Sequence, residues 1–480
     1  MESIRAESLG SPQFMAEYGL RYAYLAGSMY KGIASKELVV AMGKAGLMGY
    51  FGTGGLEPHE IELAIQHIRR ELRAGQSYGM NLLCNPQRPD LEARCVELFL
   101  RHGIRYVEAS AFTQLTPSVV RYRLKGIVRT VRGELHVPNH VLAKVSRPEV
   151  AAAFMRPAPQ RILEKLVSAG ALTEEEARLG QRVPVASAIC VEADSGGHTD
   201  QGVAYTLMPL ILALREQHQS RYGYASPIHV GAAGGIGTPD AVAAALMLGA
   251  DFVMTGSINQ CTVEAGTSEP VKDILQELDV PDTTYAPAGD MFEIGATVQV
   301  VKRGLLFASR ANRLLELYRR HACLEEIDGP TQREIQEKYF RRSFEDIWSE
   351  TKSHLARVRP PERIAALEHN GKRKMALIFR WYFIHSARLA LQGSEEQKLD
   401  YQIHCGPALG AFNGWVKGTE LQSWRRRRVA DLAVRIMTGA AEILNTRFAA
   451  FTRPGWRGAH PCTSTDSLEG ALTQPAGAAC

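Results

Sequence analysis

Two glycine-bearing segments contain the residue types from which a phosphate site could be built. Gly196 and Gly197 lie in the sequence Val-Glu-Ala-Asp-Ser-Gly-Gly-His, residues 191–198, and Gly234 and Gly235 lie within residues 231–240. Each segment follows an apolar run that predicts a buried strand. Glycines at the carboxyl end of a strand expose backbone N–H groups, which barrel enzymes use there to bind anions. The two segments therefore predict a site for a phosphate group.

The second segment predicts a compact strand–helix–strand unit. Residues 228–233 read as a strand, Thr238 is a good helix N-cap, and residues 251–255 resume a strand that ends in Gly256 and Ser257. If the two strands are neighbours, both sets of N–H groups converge on one phosphate, an arrangement that suits a flavin phosphate. Tight turns alone would also explain any single glycine. The spacing of these glycines does not match the GxGxxG fingerprint of dinucleotide-binding proteins, and no lysine of a Walker P-loop follows. Neither type of nucleotide site is therefore expected.

The composition is that of an ordinary globular protein. The 480 residues are 45% hydrophobic, which is enough for one large α/β domain and a smaller one. The most apolar stretch, residues 203–214, is too short to span a bilayer, and the N-terminus lacks the pattern of a signal peptide. We expect a cytoplasmic protein with no membrane association.

The eight cysteines form no CxxC pair and no zinc-like cluster with histidine, so the sequence predicts no metal site. Cys84 and Cys190 lie in or directly after strand-like runs. A small buried hydrophobic residue is a commoner role there than a nucleophile. Neither cysteine is assigned to catalysis.

Charge is distributed unevenly along the chain. Residues 303–447 hold 26 Lys and Arg against 17 Asp and Glu, a net charge of +9 in a chain whose net charge is +5. Such a segment favours an acidic partner. The four arginines at 425–428 are also what a solvated helix face would show. No nucleic-acid-binding motif accompanies the charge, so no nucleic-acid partner is predicted.

Strand-like and helical runs alternate along the first 300 residues, which predicts an α/β fold with a parallel sheet wrapped by helices. At least seven short strand runs, each ending in small or polar residues, favour a closed (β/α)8 TIM-like barrel over an open sheet. These runs are residues 23–26, 78–83, 106–109, 141–145, 188–191, 228–233 and 251–255.

The barrel is expected to span residues 14–302. Residues 147–184 interrupt the alternation with prolines and helical runs, which predicts a helical insertion at the rim. Long helical runs rich in arginine and aromatic residues then predict a separate α-helical domain over 303–447. Residues 448–480 are rich in Gly, Pro, Ser, Thr and Ala and are expected to form a disordered tail.

Several motifs resemble those of a known family, the PfaD family of trans-acting enoyl reductases. These enzymes serve polyunsaturated fatty-acid synthases and polyketide synthases whose modules lack such a domain. They belong to the flavin-dependent barrel superfamily that includes nitronate monooxygenases and bacterial flavin enoyl reductases. The resemblance runs over residues 14–444. Its markers are residues 25–29 (Leu-Ala-Gly-Ser-Met), 79–82 (Gly-Met-Asn-Leu), 143–146 (Ala-Lys-Val-Ser), 192–200, 232–237, 379–382 (Phe-Arg-Trp-Tyr) and 400–408 (Asp-Tyr-Gln-Ile-His-Cys-Gly-Pro-Ala).

The resemblance implies bound FMN. Asn81 is expected at the pyrimidine edge of the flavin, where an amide offers both a donor and an acceptor. Lys144 near that edge would stabilise the negative charge of the reduced ring, and a surface position for Lys144 is the alternative. The other residues expected to hold the cofactor are Gly27, Ser28, Met29, Asp194, Ser195, Gly196 and Gly197, together with a phosphate cup of Gly234, Gly235, Gly256 and Ser257.

His198 occupies the position of the superfamily's active-site histidine. It is expected to act as the general acid that gives a proton to the substrate α-carbon, or to polarise the thioester carbonyl. A histidine that only packs or binds substrate, with water as the proton source, is the alternative. Asp194 stands where the wider superfamily has glutamate but agrees with the PfaD pattern, which argues against nitronate chemistry.

The activity that the resemblance implies is an FMN-dependent, NADPH-driven reduction of 2-enoyl thioesters on acyl carrier proteins. Hydride would pass from NADPH to FMN and then to the β-carbon of the enoyl group. Acyl carrier proteins are generally acidic, so the basic helical domain is expected to dock them. The sequence leaves open the choice between NADPH and NADH, the acyl chain, and whether the chain forms a homodimer.

Three other functions stay open. A nitronate-type flavin oxidase would act on a small free substrate, and the extra helical domain argues against it. A barrel without chemistry could serve as a scaffold in a synthase assembly. A phosphate-binding barrel of the inosinate dehydrogenase kind would need a nucleophilic cysteine in a mobile loop, whereas Cys190 lies in a predicted strand.

Overall fold

Eight parallel strands form a closed barrel in the computed structural model, which describes residues 3–84, 88–357 and 360–452. The strands are β1 (Tyr24–Ala26), β2 (Met48–Phe51), β3 (Gly79–Leu83), β4 (Tyr106–Ser110), β5 (His140–Val145), β6 (Ala188–Glu192), β7 (His229–Ala233) and β8 (Val253–Thr255). Each strand pairs with the next one in the chain, and β8 pairs with β1 to close the ring. The predicted (β/α)8 barrel is therefore confirmed. Only β2, a four-residue strand that contains a glycine, was not predicted.

Helices surround the barrel and begin where the sequence supplies a cap. The hydroxyls of Ser35, Thr116 and Thr238 each accept a hydrogen bond from a backbone N–H group in the first helical turn. In the described residues no helix is long and apolar enough to cross a bilayer. The helices after β1 to β7 are Lys36–Lys44, Pro58–Glu71, Pro89–Arg101, Pro117–Leu124, Pro148–Met155, Ala204–Tyr222 and Pro239–Met247.

The eighth helix of the ring comes from the C-terminus of the described chain. Val429–Thr452 packs against Pro239–Met247 and Lys36–Lys44, which follow β7 and β1. Gly439 permits the close approach, since a Cβ there would lie 2.7 Å from Pro239 Cγ. Residues 256–428 are thus inserted between β8 and the helix that completes the barrel.

The inserted residues and the rim are mostly helical. The rim insertion predicted for 147–184 contains two helices, Gln160–Ser168 and Glu174–Gly180, beyond the barrel helix Pro148–Met155. The helices between β8 and Val429–Thr452 are Glu269–Leu275, Phe307–Arg320, Gly329–Glu334, Phe344–Leu355, Pro361–Glu368, Gly371–Gln392 and Ala408–Val416.

Two hydrophobic cores divide the C-terminal region. Apart from Val301 and Leu305, which belong to the barrel core, the buried apolar side chains of residues 286–383 form a second core of their own, whereas those of residues 401–444 join the core of the barrel. The last part of the helical domain predicted over 303–447 therefore packs on the barrel, because the barrel's eighth helix lies there. Elsewhere the domain boundaries remain predictions.

The structure describes only the start of the segment predicted as a tail, 448–480. Residues 448–452 are helical and continue Val429–Thr452. This departs from the predicted disorder, because these residues extend a helix that is already anchored on the barrel. Residues 453–480 lie outside the described residues.

A three-stranded antiparallel sheet, here called the side sheet, joins the barrel to the inserted region. Its strands are Gly197–His198, Thr283–Pro287 and Thr297–Val301, with Thr297–Val301 in the middle. No local pattern predicts this sheet, because its strand Gly197–His198 is too short to show the alternation typical of a strand. Because Gly197–His198 follows β6 closely and pairs with Thr297–Val301, the first glycine segment contacts the inserted region directly.

The N-terminal end of the barrel is closed by the helix Pro12–Tyr18. Phe14 stacks on Phe252 with ring centroids 4.3 Å apart, and the Tyr18 ring lies 4.9 Å from that of Tyr106. All four rings are buried. The opposite end, where the glycine loops lie, is therefore the one that a ligand can enter.

The buried ion pair between Arg310 and Asp400 is expected to stabilise the C-terminal region. Asp400, 1% exposed, accepts hydrogen bonds from Arg310 and from the Tyr382 hydroxyl. Asp400→Asn leaves the Arg310 cation without its counter-charge, and we expect a loss of about 3 kcal/mol in the free energy of unfolding, measured by urea denaturation. Glu420→Gln, which removes an exposed partner of Arg435, should change it by less than about 1 kcal/mol. Equal losses of unfolding free energy in both variants would contradict a stabilising role of the Arg310–Asp400 pair.

Candidate active site

Two glycine loops lie at the tips of neighbouring strands. Because β8 pairs with both β7 and β1, the loop of Gly234 and Gly235 lies next to that of Gly256 and Ser257, and the predicted adjacency is confirmed. Gly234 and Gly235 have φ angles of +82° and +72°, which glycine adopts readily. A Cβ on Gly235 or Gly256 would meet no atom within 4 Å. The loops therefore border open space with bare backbone, as a phosphate site requires.

A segment of the inserted region, residues 404–408 and here called the clasp, packs against both glycine-bearing regions. A Cβ on Gly196 would lie 2.8 Å from Cys405 Cα. The Gly406 N–H group donates a hydrogen bond of 3.0 Å to Ser257 Oγ. Gly196 and Ser257, both predicted to hold the cofactor, thus have protein neighbours that the sequence analysis did not anticipate.

The loop after β1 also depends on close backbone contacts. The Gly27 N–H group donates to Thr255 O at 2.9 Å. A Cβ on Gly27 would lie 2.9 Å from Met254 Sδ, and one on Gly52 would collide with Met29 O. The predicted cofactor residues of this loop therefore lie beside the two glycine loops, at the same end of the barrel.

Lys144 on β5 lies between two carboxylates on the flanking strands. Its Nζ is 3.3 Å from Glu108 Oε1 on β4 and 3.4 Å from Glu192 Oε1 on β6. Burial favours the neutral amine, but the two carboxylates raise the pKa of Lys144 well above its ordinary value. Burial would raise the pKa of Glu108, but Lys144 and hydrogen bonds from Ser28 lower it overall. Lys144 is therefore a cation held inside the barrel, not a surface lysine.

Two further predicted residues are tied to the same cluster. Ser28 donates its N–H and its hydroxyl to the two oxygens of Glu108, at 2.9 and 2.7 Å. Asn81 Nδ2 donates to Glu108 O at 3.2 Å and to Ser110 Oγ at 2.8 Å. Both amide hydrogens of Asn81 thus have acceptors within the protein. Its Oδ1 remains as an acceptor for a ligand, in place of the expected donor and acceptor pair.

His198 forms a dyad with a carboxylate that the sequence analysis missed. His198 Nε2 lies 2.9 Å from Asp290 Oδ1, and the two side chains are 46% and 62% exposed. Burial lowers the pKa of His198, but the hydrogen bond and charge of Asp290 outweigh it and raise that pKa overall. Because Nε2 is engaged by Asp290, Nδ1 is the ring atom available to a substrate. The histidine is thus oriented to present one nitrogen, and Asp290 stabilises its protonated form.

Asp194 holds the side sheet rather than standing free. Its carboxylate accepts hydrogen bonds from the hydroxyls of Tyr285 and Thr199, at 2.6 and 2.7 Å, and from Gln299 Nε2 at 3.3 Å. Ser195 Oγ donates to Glu192 Oε1 at 3.3 Å. These contacts fix the loop that carries His198.

Sequence reasoning missed four residues, of which all but Asp290 left a weak signal. Glu108 and Glu192 interrupt apolar strand runs at similar depths, and such carboxylates need a partner when buried. Asp290 is 92 residues from His198, so no local spacing connects them. His404 lies in a motif that the resemblance marked without assigning it a role.

The cysteines and the metal prediction can be placed as well. Cys190 is fully buried in β6, and burial raises its thiol pKa well above the ordinary value. Burial raises the pKa of Cys84 to about 11. Neither is an activated nucleophile. Across the described ranges no group of three or more His, Cys, Asp or Glu could hold a metal ion.

Two family models match the chain. The model described as "Nitronate monooxygenase" matches residues 14–290, which include all eight barrel strands. The model described as "[Acyl-carrier-protein] S-malonyltransferase, inserted helical domain" matches residues 321–401, most of which belong to the second core region.

Longer curated proteins contain similar segments. The polyketide biosynthesis protein PksE of Bacillus subtilis (strain 168) is 54% identical over 94% of this chain and 58% of its own length. The polyketide biosynthesis protein ThaF of Burkholderia thailandensis is 50% identical over 93% of this chain and 38% of its own length. A polyunsaturated fatty acid synthase protein of Thraustochytrium sp. is 43% identical over 90% of this chain and 29% of its own length. The chain thus spans less than two thirds of the curated relatives it matches.

A solved structure matches almost end to end. The enoyl reductase domain of MlnA, from the macrolactin biosynthesis cluster of Bacillus amyloliquefaciens, is 43% identical, with a TM-score of 0.89 over 92% of this chain and 99% of that domain. Together with the barrel model and the synthase relatives, this match shows that the chain belongs to the PfaD-like enoyl reductases of the nitronate monooxygenase family.

Proposed function

We propose that the protein is an FMN-dependent, NADPH-driven enoyl reductase that acts in trans on α,β-unsaturated acyl thioesters carried by acyl carrier proteins. The observation that carries the proposal is the near-complete match to the MlnA enoyl reductase domain. The synthase relatives support a place in polyketide or polyunsaturated fatty-acid biosynthesis.

The residues at the barrel mouth fit a flavin mononucleotide. Gly235 and Gly256 border the open, backbone-lined space at two adjoining strand tips, which suits its phosphate. The buried Lys144 cation and the acceptor Asn81 Oδ1 would meet the polar edge of the ring. When bound, the flavin would supply hydride transfer from the nicotinamide donor to the β-carbon of the enoyl group.

His198 would supply the proton that completes the reduction. Asp290 raises the pKa of His198, which favours the imidazolium form, and it engages Nε2, which would leave Nδ1–H for a substrate. A proton donated from Nδ1 to the α-carbon gives the saturated thioester. The dyad thus provides both the orientation and the protonation state that a general acid needs.

An acyl carrier protein is the proposed partner. Residues 321–401 match a helical domain of a family described by its acyl-carrier-protein substrate, and residues 303–447 carry a net charge of +9. A basic surface attracts an acidic carrier protein and speeds its encounter.

A nitronate-type oxidase is the second candidate, because the barrel matches that family model. It would pass electrons to oxygen and act on a free nitroalkane. One experiment separates it from the reductase and from a scaffold without chemistry.

The direct test is an absorbance spectrum of the purified protein under nitrogen. We expect a flavin spectrum that NADPH bleaches and that a crotonyl thioester of an acyl carrier protein restores, with one NADPH used per double bond reduced. Failure to bind FMN would favour the scaffold. Restoration only by oxygen, with turnover of nitroalkane, would favour the oxidase.

Gly256→Val tests the phosphate cradle. Gly256 has no positive φ and no atom within 4 Å of its Cβ position, so valine should fit the unliganded protein yet fill the space for the phosphate. We expect FMN affinity, measured by fluorescence titration, to fall roughly tenfold or more, which corresponds to about 1.4 kcal/mol. Gly414→Val, whose Cβ position is equally open, is the matched control. Unchanged affinity in Gly256→Val would place the phosphate elsewhere.

Asp290→Asn tests the His198 dyad through the pH profile of kcat. A rate that needs protonated His198 falls as the pH rises through the pKa of that group. Asp290 raises this pKa, so Asp290→Asn should shift the alkaline limb to lower pH. His198→Gln should remove the limb and lower kcat by roughly 10²-fold or more. Glu293→Gln, which removes a nearby partner of Arg380, is the control. An unmoved limb in Asp290→Asn would show that His198 is not the titrating acid.

A further inference from the structure

The clasp places a second histidine beside the His198 strand. Residues 403 and 405 pair with the middle strand of the side sheet, through Val301 N–H to Ile403 O at 2.9 Å and Cys405 N–H to Gln299 O at 3.3 Å. Gln260 Nε2 donates to His404 O at 2.9 Å. The backbone of His404 is therefore held from two directions. It lies along the same edge of Thr297–Val301 as Gly197–His198.

The hydrogen bonding of the His404 ring defines its tautomer. His404 Nε2 lies 2.8 Å from Gln402 Nε2. Since an amide nitrogen can only donate, His404 Nε2 accepts in this arrangement, which favours the tautomer that carries its proton on Nδ1. Burial and the charge of His198 lower the pKa of His404 to about 4 although Asp290 opposes them, so the ring stays neutral over the working pH range. His404 is therefore a donor whose state does not change with pH.

The free N–H of this ring lies next to Gly197. His404 Nδ1 is 3.6 Å from the position that a Gly197 Cβ would occupy, so a side chain at 197 would contact this nitrogen. Gly197 has a φ of +89°, a conformation that favours glycine. No described residue accepts a hydrogen bond from Nδ1, whereas the hydroxyls of Thr199, Tyr285 and Thr297 around it each donate one within the protein.

We propose that His404 Nδ1–H donates a hydrogen bond to the thioester carbonyl oxygen of the substrate, next to the proton donor His198. The inference rests on the proposed function. With a flavin bound, hydride delivered to the β-carbon would move the electron pair of the double bond onto the carbonyl oxygen, and the resulting enolate would take a proton at the α-carbon from His198. A fixed neutral donor at that oxygen stabilises charge that develops only during the reaction.

Two amide substitutions distinguish this role from packing. Asn at 404 can place its amide N–H near the Nδ1 position, whereas Gln places it nearer Nε2. We expect His404→Gln and His404→Ala to lower kcat by roughly 10²-fold with less change in KM, and His404→Asn to retain at least roughly tenfold more activity than His404→Gln. None of these variants should shift the alkaline limb of the pH profile of kcat, because that limb is assigned to His198. Flavin loading reports whether each variant is folded.

The matched control is His385, whose Nε2 lies 3.0 Å from Gln397 Oε1 away from the dyad. His385→Asn and His385→Gln should have equal activity. A second readout is ¹⁵N NMR of histidine-labelled protein, with His404 among 14 histidines assigned by its loss in His404→Asn. We expect the Nδ1–H tautomer and no titration of this ring above pH 5.

Three results would overturn the inference: equal activity of His404→Asn and His404→Gln, an Nε2–H tautomer, or a His404 ring that titrates near neutrality. Each of them leaves the proposed function intact if the unmodified protein reduces the crotonyl thioester. A protein that binds flavin but does not reduce the thioester would refute the proposed function itself.

Discussion

The site depends on close backbone contacts between the glycine loops and the clasp. A Cβ on Gly196 would press on Cys405, one on Gly237 would collide with Ala408 O, and the Gly406 N–H group is bonded to Ser257. Such approaches are possible only where side chains are absent. The glycines therefore have two roles: Gly235 and Gly256 leave open space at the strand tips, and others allow the close approach of a segment that begins almost 150 residues beyond β8. This close approach brings the helical region and His404 to the barrel mouth.

The barrel also contains a cluster of charged side chains. Lys144 is neutralised by Glu108 and Glu192, and Glu108 also fixes the loop after β1 through Ser28. A buried lysine with two carboxylates remains protonated, and the carboxylates are in turn held in place. The dyad of His198 and Asp290 lies on the more exposed side sheet. The two clusters thus have distinct environments: Lys144 is largely buried between two carboxylates, whereas His198 and Asp290 are accessible to solvent.

Much of the barrel could be read from the sequence because its strands are buried on both faces and end in glycine or polar residues. Seven strand runs, the Thr238 cap and the adjacency of the two phosphate loops followed from local patterns. The eighth helix could not be anticipated, since its place in the ring is set by packing on Pro239 about 200 residues earlier. Likewise Asp290 and His404 reach His198 only through the side sheet, whose pairing has no local signature. Asn81 was predicted to offer a flavin both a donor and an acceptor, but the structure shows that both its amide hydrogens are engaged within the protein.

The central claim is that glycine backbones at the tips of β7 and β8 hold the phosphate of a flavin under the clasp. The most direct measurement is a crystal structure of the flavin-loaded protein. The account predicts phosphate oxygens within hydrogen-bonding distance of the N–H groups of Gly235 and Gly256, with the ring extending toward Lys144. A phosphate bound at any other strand tips, or a flavin remote from the clasp, would contradict it.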